Sequence, residues 1–132
     1  MRDYVWNGSN DPCLDGPRVD AVGRVVVGLS GGNAAFGARK NEDAALVCSG
    51  EDWVFAVILD AHASSESAEA VLALFEDGKA DLMALLGQSR PSHILDVQAA
   101  VSGLLISGGS RERMARVRGE TACLVCYQHG NT

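Results

Sequence analysis

Two apolar runs separated by three residues constrain this chain more than anything else in it. AALVCS, Ala44 to Ser49, and WVFAVILD, Trp53 to Asp60, flank Gly50-Glu51-Asp52. Their composition reads as two strands. The short connection between them predicts an antiparallel hairpin. The second run is apolar at nearly every position, which predicts a strand covered on both faces. It stops abruptly at Asp60, and His62 follows one small residue later.

Beyond His62 the period changes. Ala68, Val71, Leu72 and Phe75 fall at i, i+3, i+4 and i+7, one face of a helix. Ser64 or Ser65 suits its N-terminus, Glu66 its first turn and Gly78 its stop. Leu82, Leu85 and Leu86 predict a short helix or a continuation ending at Gly87. Pro91-Ser92 opens another helix to about Ser107, Gly108-Gly109 breaks it, and the basic Ser110–Arg118 stretch reads as a loop or frayed turn. Thr121–Gln128 is a strand, and His129-Gly130-Asn131 is a turn signal. On the N-terminal side, Val22–Ser30 reads as one Gly-bounded strand and residues 1–18 as an irregular lead-in or a first edge strand. A last strand with no successor leaves an unpaired edge.

Length and charge exclude several function classes. A chain of 132 residues, 47% hydrophobic, predicts one domain with a real core. A net charge of −6 argues against nucleic-acid binding, which draws on clustered Lys and Arg. No apolar run reaches the roughly 18 residues of a membrane span. The opening MRDYVWNGSNDPC lacks a basic region followed by an apolar stretch, so no secretory signal is read, and a cytoplasmic protein is expected. Cys123-x-x-Cys126 has zinc-like spacing, but residues three apart on a strand face opposite ways. All four cysteines therefore read as buried free thiols.

Acids cluster around the hairpin ends. Glu42 and Asp43 precede the first run in RKNEDAAL, and Asp60 ends the second. Hairpin pairing brings these ends together, so Glu42, Asp43 and Asp60 converge and raise one another's pKa. A hard divalent cation, Mg2+ or Mn2+, relieves that repulsion, with His62 beside it. The alternatives stay open: solvated turn acids, a carboxylate capping a strand end, and a histidine acting as a structural donor.

RKNEDAALV, then VFAVILDAH opening a helix, then RGETACLVCY, together resemble the metal-dependent serine/threonine protein phosphatases of type 2C. That family carries an acidic N-E-D or M-E-D element, a V-x-D-G-H-G-G element and a G-[ST]-T-A element, in this order. The resemblance implies an α+β fold, antiparallel β-sheets flanked by α-helices in a sandwich, with residues 1–132 forming one partial domain. It implies Asp43 and Asp60 as ligands of Mg2+ or Mn2+, a metal contact by the carbonyl of Ala61, and Glu42 as an outer or water-mediated contact. It further implies His62 as general acid, Arg39 as phosphate-binding residue (one position nearer the acids than usual), and a phosphoserine or phosphothreonine protein as substrate. Two departures stand out. D-G-H-G-G is replaced by Asp60-Ala61-His62-Ala63-Ser64, and the family's later aspartates have no counterpart after Gln128. A truncated phosphatase, expected to turn over little by itself, and an inactive pseudophosphatase with a binding or regulatory role both follow from this. A third reading makes Asp60 a phosphoryl acceptor in an α/β signalling module, against which stands the lack of alternating strand–helix units. A partial domain predicts bared sheet edges, an exposed apolar patch and pairing between copies.

Overall fold

A computed structural model describes residues 1–88 and 93–130. The elements run β1 (Arg2–Asn7), β2 (Arg18–Val22), β3 (Val25–Leu29), β4 (Ala44–Ser49), β5 (Trp53–His62), α1 (Glu66–Asp77), α2 (Lys79–Leu86), α3 (His93–Ile106), α4 (Gly108–Met114) and β6 (Glu120–His129). A single 3-10 turn, Ala34–Phe36, lies between β3 and β4. One sheet has the order β1-β4-β5-β6 with every pairing antiparallel, and β2-β3 form a separate hairpin. The coarse expectation of an α+β fold with antiparallel sheets and helices is met. A parallel, alternating α/β module is not what these strands build.

The central hairpin pairs as its turn requires, from Ala44↔Leu59 to Ser49↔Val54. One face carries the main core. Leu46, Cys48, Phe55, Val57 and Leu59 are buried there against Ala68, Val71, Leu72 and Phe75 of α1, Leu82 and Leu86 of α2, and Val97 and Val101 of α3. The helical period read between Ala68 and Phe75 is therefore the period of burial. Ser65 occupies the N-cap position of α1, yet the capping hydroxyl is that of Ser64, which accepts from Glu66 N at 3.2 Å.

The opposite face corrects the expectation of a strand covered on both sides. Trp6 and Ala45 are covered there by Leu29, with Val27 and Cys13 packed alongside, so the β2-β3 hairpin shields the β1-β4 half. Tyr4 Oη donates to Asp20 Oδ2 at 2.7 Å and pins β2 to β1. The hairpin stops short of β5 and β6, where Ile58 is 54% and Leu124 65% exposed. An apolar strand thus became alternating in burial because its second layer is only half built.

Other elements differ from the sequence reading in definable ways. Val22–Ser30 is not one strand. The chain reverses at Gly23-Arg24, with Gly23 at φ 61°, the sign a type II′ hairpin loop needs at its first position. Of the two readings of residues 1–18, the first edge strand is the one formed, as β1. The Gly108-Gly109 "break" opens α4, because Ser107 Oγ accepts from Ser110 N at 3.2 Å and supplies an N-cap. Buried Ser110 also donates its hydroxyl to Leu104 O, tying α4 to α3. The Pro91-Ser92 helix start and Asn131 lie outside the described residues. Of the four thiols, Cys48 is buried, Cys13 is half-buried, and Cys123 and Cys126 are exposed, so burial of all four is not realised. The strand register does put Cys123 opposite Leu59 and Cys126 opposite Ala56, on different faces.

An ion pair fastens the entry of β6 to α1. Glu66 accepts from Arg118 N at 3.0 Å, Nε at 2.9 Å and Nη2 at 2.6 Å. The Arg118 side chain and amide hold the Glu66 carboxyl below its usual range. A carboxylate with a depressed folded-state pKa stabilises above its unfolded pKa, and that contribution is lost as pH falls through the folded value. Glu66→Gln should therefore melt below the parent at neutral pH, with the difference closing in acid and shrinking in high salt. A melting series against pH and salt checks this.

Candidate functional site

The acidic corner is built by the loop into β4. Asn41 is buried, and its Oδ1 accepts from Asp43 N at 3.1 Å, the side-chain-to-backbone bond of an Asx turn. Its Nδ2 donates to Pro12 O at 3.4 Å, while Gly8 N donates to Asp43 O at 2.9 Å. Asp43 is thereby held from both sides, just before the first paired residue of β4. Asn41 escaped the sequence reading, although its spacing to Asp43 carried the Asx-turn signal.

Across the hairpin, Asp43 meets the end of β5. Its Oδ1 accepts from Ala61 N at 3.4 Å. Continuing the Ala44↔Leu59 register by one step sets Asp43 against Asp60. Burial pushes the Asp43 carboxyl above its ordinary range; the Ala61 amide and His62 oppose this, while the charges of Asp60 and Glu42 push it further up. Because Ala61 N–H faces β4, strand geometry turns its carbonyl to the same side. The Ala61 side chain is buried on the helical face.

Asp60 and His62 are two apart on one strand and share the open face. Both side chains are about two-thirds exposed, at 64% and 67%, and His62 Nδ1 lies 3.5 Å from Asp60 Oδ1. β5 extends through His62 rather than ending at Asp60, so the histidine is fixed by β-pairing to Glu120. Beside the corner, Asp43 lines one end of a cavity of about 170 Å³, walled by Trp6, Leu29, Ala45 and Ile58 under the β2-β3 hairpin.

No family model, no curated protein and no solved structure matches this chain.

Asp43, Asp60, the Ala61 backbone and His62 come together. Two other candidates do not join them. Glu42 Oε1 is bonded to Lys40 Nζ at 2.6 Å, so its charge reaches Asp43 while its carboxylate is engaged elsewhere. Arg39 is exposed on the loop before β4 and forms no ion pair with either aspartate. Among the described residues, no three carboxylate, imidazole or thiol groups gather into a cation cage. Two carboxylates and a carbonyl nonetheless fit a hard cation that keeps most of its own waters, as Mg2+ does.

The segment after His62 is strained, and glycine relieves it on only one side. Ala63 sits at φ 71°, a left-handed conformation that disfavours a Cβ. Gly119, at φ 82°, packs directly on the same segment; a Cβ there would lie 2.5 Å from His62 O and 3.0 Å from Ser64 N. The adjoining Thr121 hydroxyl donates to Asp60 O at 3.1 Å. The G-E-T-A sequence thus braces the Asp60–Ser64 turn. Ala63→Gly should stabilise the protein by about 0.5–1 kcal/mol, the left-handed penalty less the added freedom of the unfolded chain. Chemical denaturation measures it directly.

The raised Asp43 carboxyl has its own consequence. With a folded-state pKa above the unfolded one, stability is greatest below the ordinary carboxylate range and falls as pH rises through the raised value. Asp43→Asn keeps an acceptor for Ala61 N but cannot ionise. It should match the parent in acid and melt above it at neutral pH without added cation.

Proposed function

We propose that this chain carries the Asp43–Asp60 part of a type 2C-like phosphatase centre, whose complete form hydrolyses phosphoserine or phosphothreonine in proteins. The observation that carries the reading is the meeting of Asp43, Asp60 and the Ala61 carbonyl side at one strand end, with His62 next to them. Asp43 and Asp60 would hold Mg2+ or Mn2+, with Glu42 in a water-mediated role. When bound, such a cation would supply charge neutralisation and a more acidic water for in-line attack on phosphorus. His62 would deliver a proton to the departing serine oxygen as the P–O bond breaks and the new bond from water forms. Its exposure on the open face suits contact with a protein substrate. Arg39 would need to swing from its loop to reach equatorial phosphate oxygens. A sandwich of two sheets is part of the proposal, supported by the apolar face left open around Ile58 and Leu124. Cytoplasmic residence belongs to it as well, since Cys13, Cys48, Cys123 and Cys126 are all free thiols. No helix among the described residues is long and apolar enough to cross a membrane.

A pseudophosphatase is favoured by two separate observations: the strained Ala63 beside His62 and, among the described residues, the incomplete donor set. Assay of p-nitrophenyl phosphate and a phosphoserine peptide with Mn2+ separates the two. Slow Mn2+-dependent release abolished by Asp60→Asn supports the phosphatase. Mn2+ binding without turnover supports the pseudophosphatase. Neither binding nor turnover overturns both.

A further inference from the structure

β6 is the last strand of the four-stranded sheet, and its outer edge pairs with none of the described residues. Which groups it presents follows from the seam with β5. Asp60 O faces β6, where it accepts the Thr121 hydroxyl, and Gly130 N donates to Asp52 O across the same seam. Alternation then turns the even-numbered residues of β6 toward β5. The N–H and C=O groups of Thr121, Cys123, Val125 and Tyr127 are left on the free edge.

Both flanks of this edge are apolar. On the helical side a groove of about 670 Å³ runs between β6 and α3, lined by Ile94, Val97, Val101, Val125 and Tyr127. On the open side Leu124 and Ile58 stand exposed. An occupant must therefore be an extended strand that is apolar on both faces. Ala122-Cys123-Leu124-Val125-Cys126-Tyr127 is such a strand. Charge selects the direction of pairing. Glu120 is the one acidic residue of β6, and the strand has no Lys, Arg or Pro to guard its edge. Antiparallel pairing sets each Glu120 against the Gln128–His129 end of the other copy, whereas parallel pairing in register stacks the two carboxylates.

We propose that a second copy of this chain docks along β6, the two β6 strands pairing antiparallel about a two-fold axis into one eight-stranded sheet. The contact is isologous, so it closes at a dimer. It needs no metal and stands or falls apart from the phosphatase reading.

Sedimentation of the full chain over micromolar to millimolar concentration tests it. A dimer is expected, with its dissociation constant raised at least about tenfold by Leu124→Lys, which places a charge in the seam. Cys123→Pro removes an edge-facing N–H at an exposed position and should do the same while keeping the parent's circular dichroism. Should both variants misfold, hydrogen exchange of the parent decides: the amides of Cys123, Val125 and Tyr127 are protected in the dimer and exchange freely on dilution. A monomer throughout the range overturns the proposal and leaves the edge to a strand of another chain. Folded variants with the parent's dissociation constant, or a dimer whose formation leaves those amides unprotected, overturn it too.

Discussion

Gly119→Ala should destabilise the protein by about 3 kcal/mol or more. Two independent effects add. A left-handed φ costs an L-residue about 1–2 kcal/mol, and Gly119 sits at φ 82°. The new Cβ would also press to 2.5 Å from the His62 carbonyl oxygen, a backbone atom that cannot rotate away. Gly37 separates the two effects. It has φ 89° with nothing within 4 Å of a built Cβ, so Gly37→Ala should lose only the conformational part, about 1 kcal/mol. Denaturant titration of both variants gives the comparison. A similar small loss in each would mean that β6 does not press on the Asp60–Ser64 turn. Because that turn presents His62 and follows the Asp43–Asp60 corner, Gly119→Ala should also weaken any Mn2+ response of the folded fraction.

Phe55→Ala is the other large effect, and it acts through the core alone. Phe55 is fully buried near the start of β5 and meets Phe75 of α1 at a ring-centroid distance of 6.0 Å and a tilt of 52°. Removing the ring leaves a cavity between sheet and helix, a loss of about 3–5 kcal/mol. For a chain of this length that corresponds to a melting point lower by about 10–20 °C. Phe55→Leu, which refills most of the volume, should recover more than half of the loss. The residue lies on the helical face, away from the open face that carries Asp60 and His62, so its variants should change stability without removing the cation response at temperatures where they stay folded.

The legible parts of this fold were those fixed by near-neighbour physics. The 44–49 and 53–60 runs joined by three residues could hardly avoid pairing, and that pairing alone brings Asp43 to Asp60. The spacing from Ala68 to Phe75 marked the helix face that meets the sheet. What stayed hidden depended on partners distant in sequence. Whether Ile58 is covered depends on how far a hairpin of residues 18–29 reaches, and no local pattern in β5 carries that information. Gly108-Gly109 reads as a break until Ser107 is seen to cap it and Ser110 to bind Leu104 O. By charge alone Glu42 is equivalent to Asp43, and only the family resemblance sets it apart as an outer contact; in the structure Lys40, two residues before it, takes its carboxylate. Gly119 gave only the signal of a glycine before a strand; its contact with the His62–Ser64 backbone joins positions more than fifty residues apart.

Asp43 and Asp60 are proposed to hold a divalent cation together. Calorimetric titration of Mn2+ into the chain at neutral pH tests it most directly, with Asp43→Asn and Asp60→Asn as partners. One saturable site is expected, with affinity reduced at least about tenfold in either variant and in the parent as acid protonates the raised Asp43 carboxyl. Absence of saturable binding, or equal affinity in the parent and both folded variants, would contradict it.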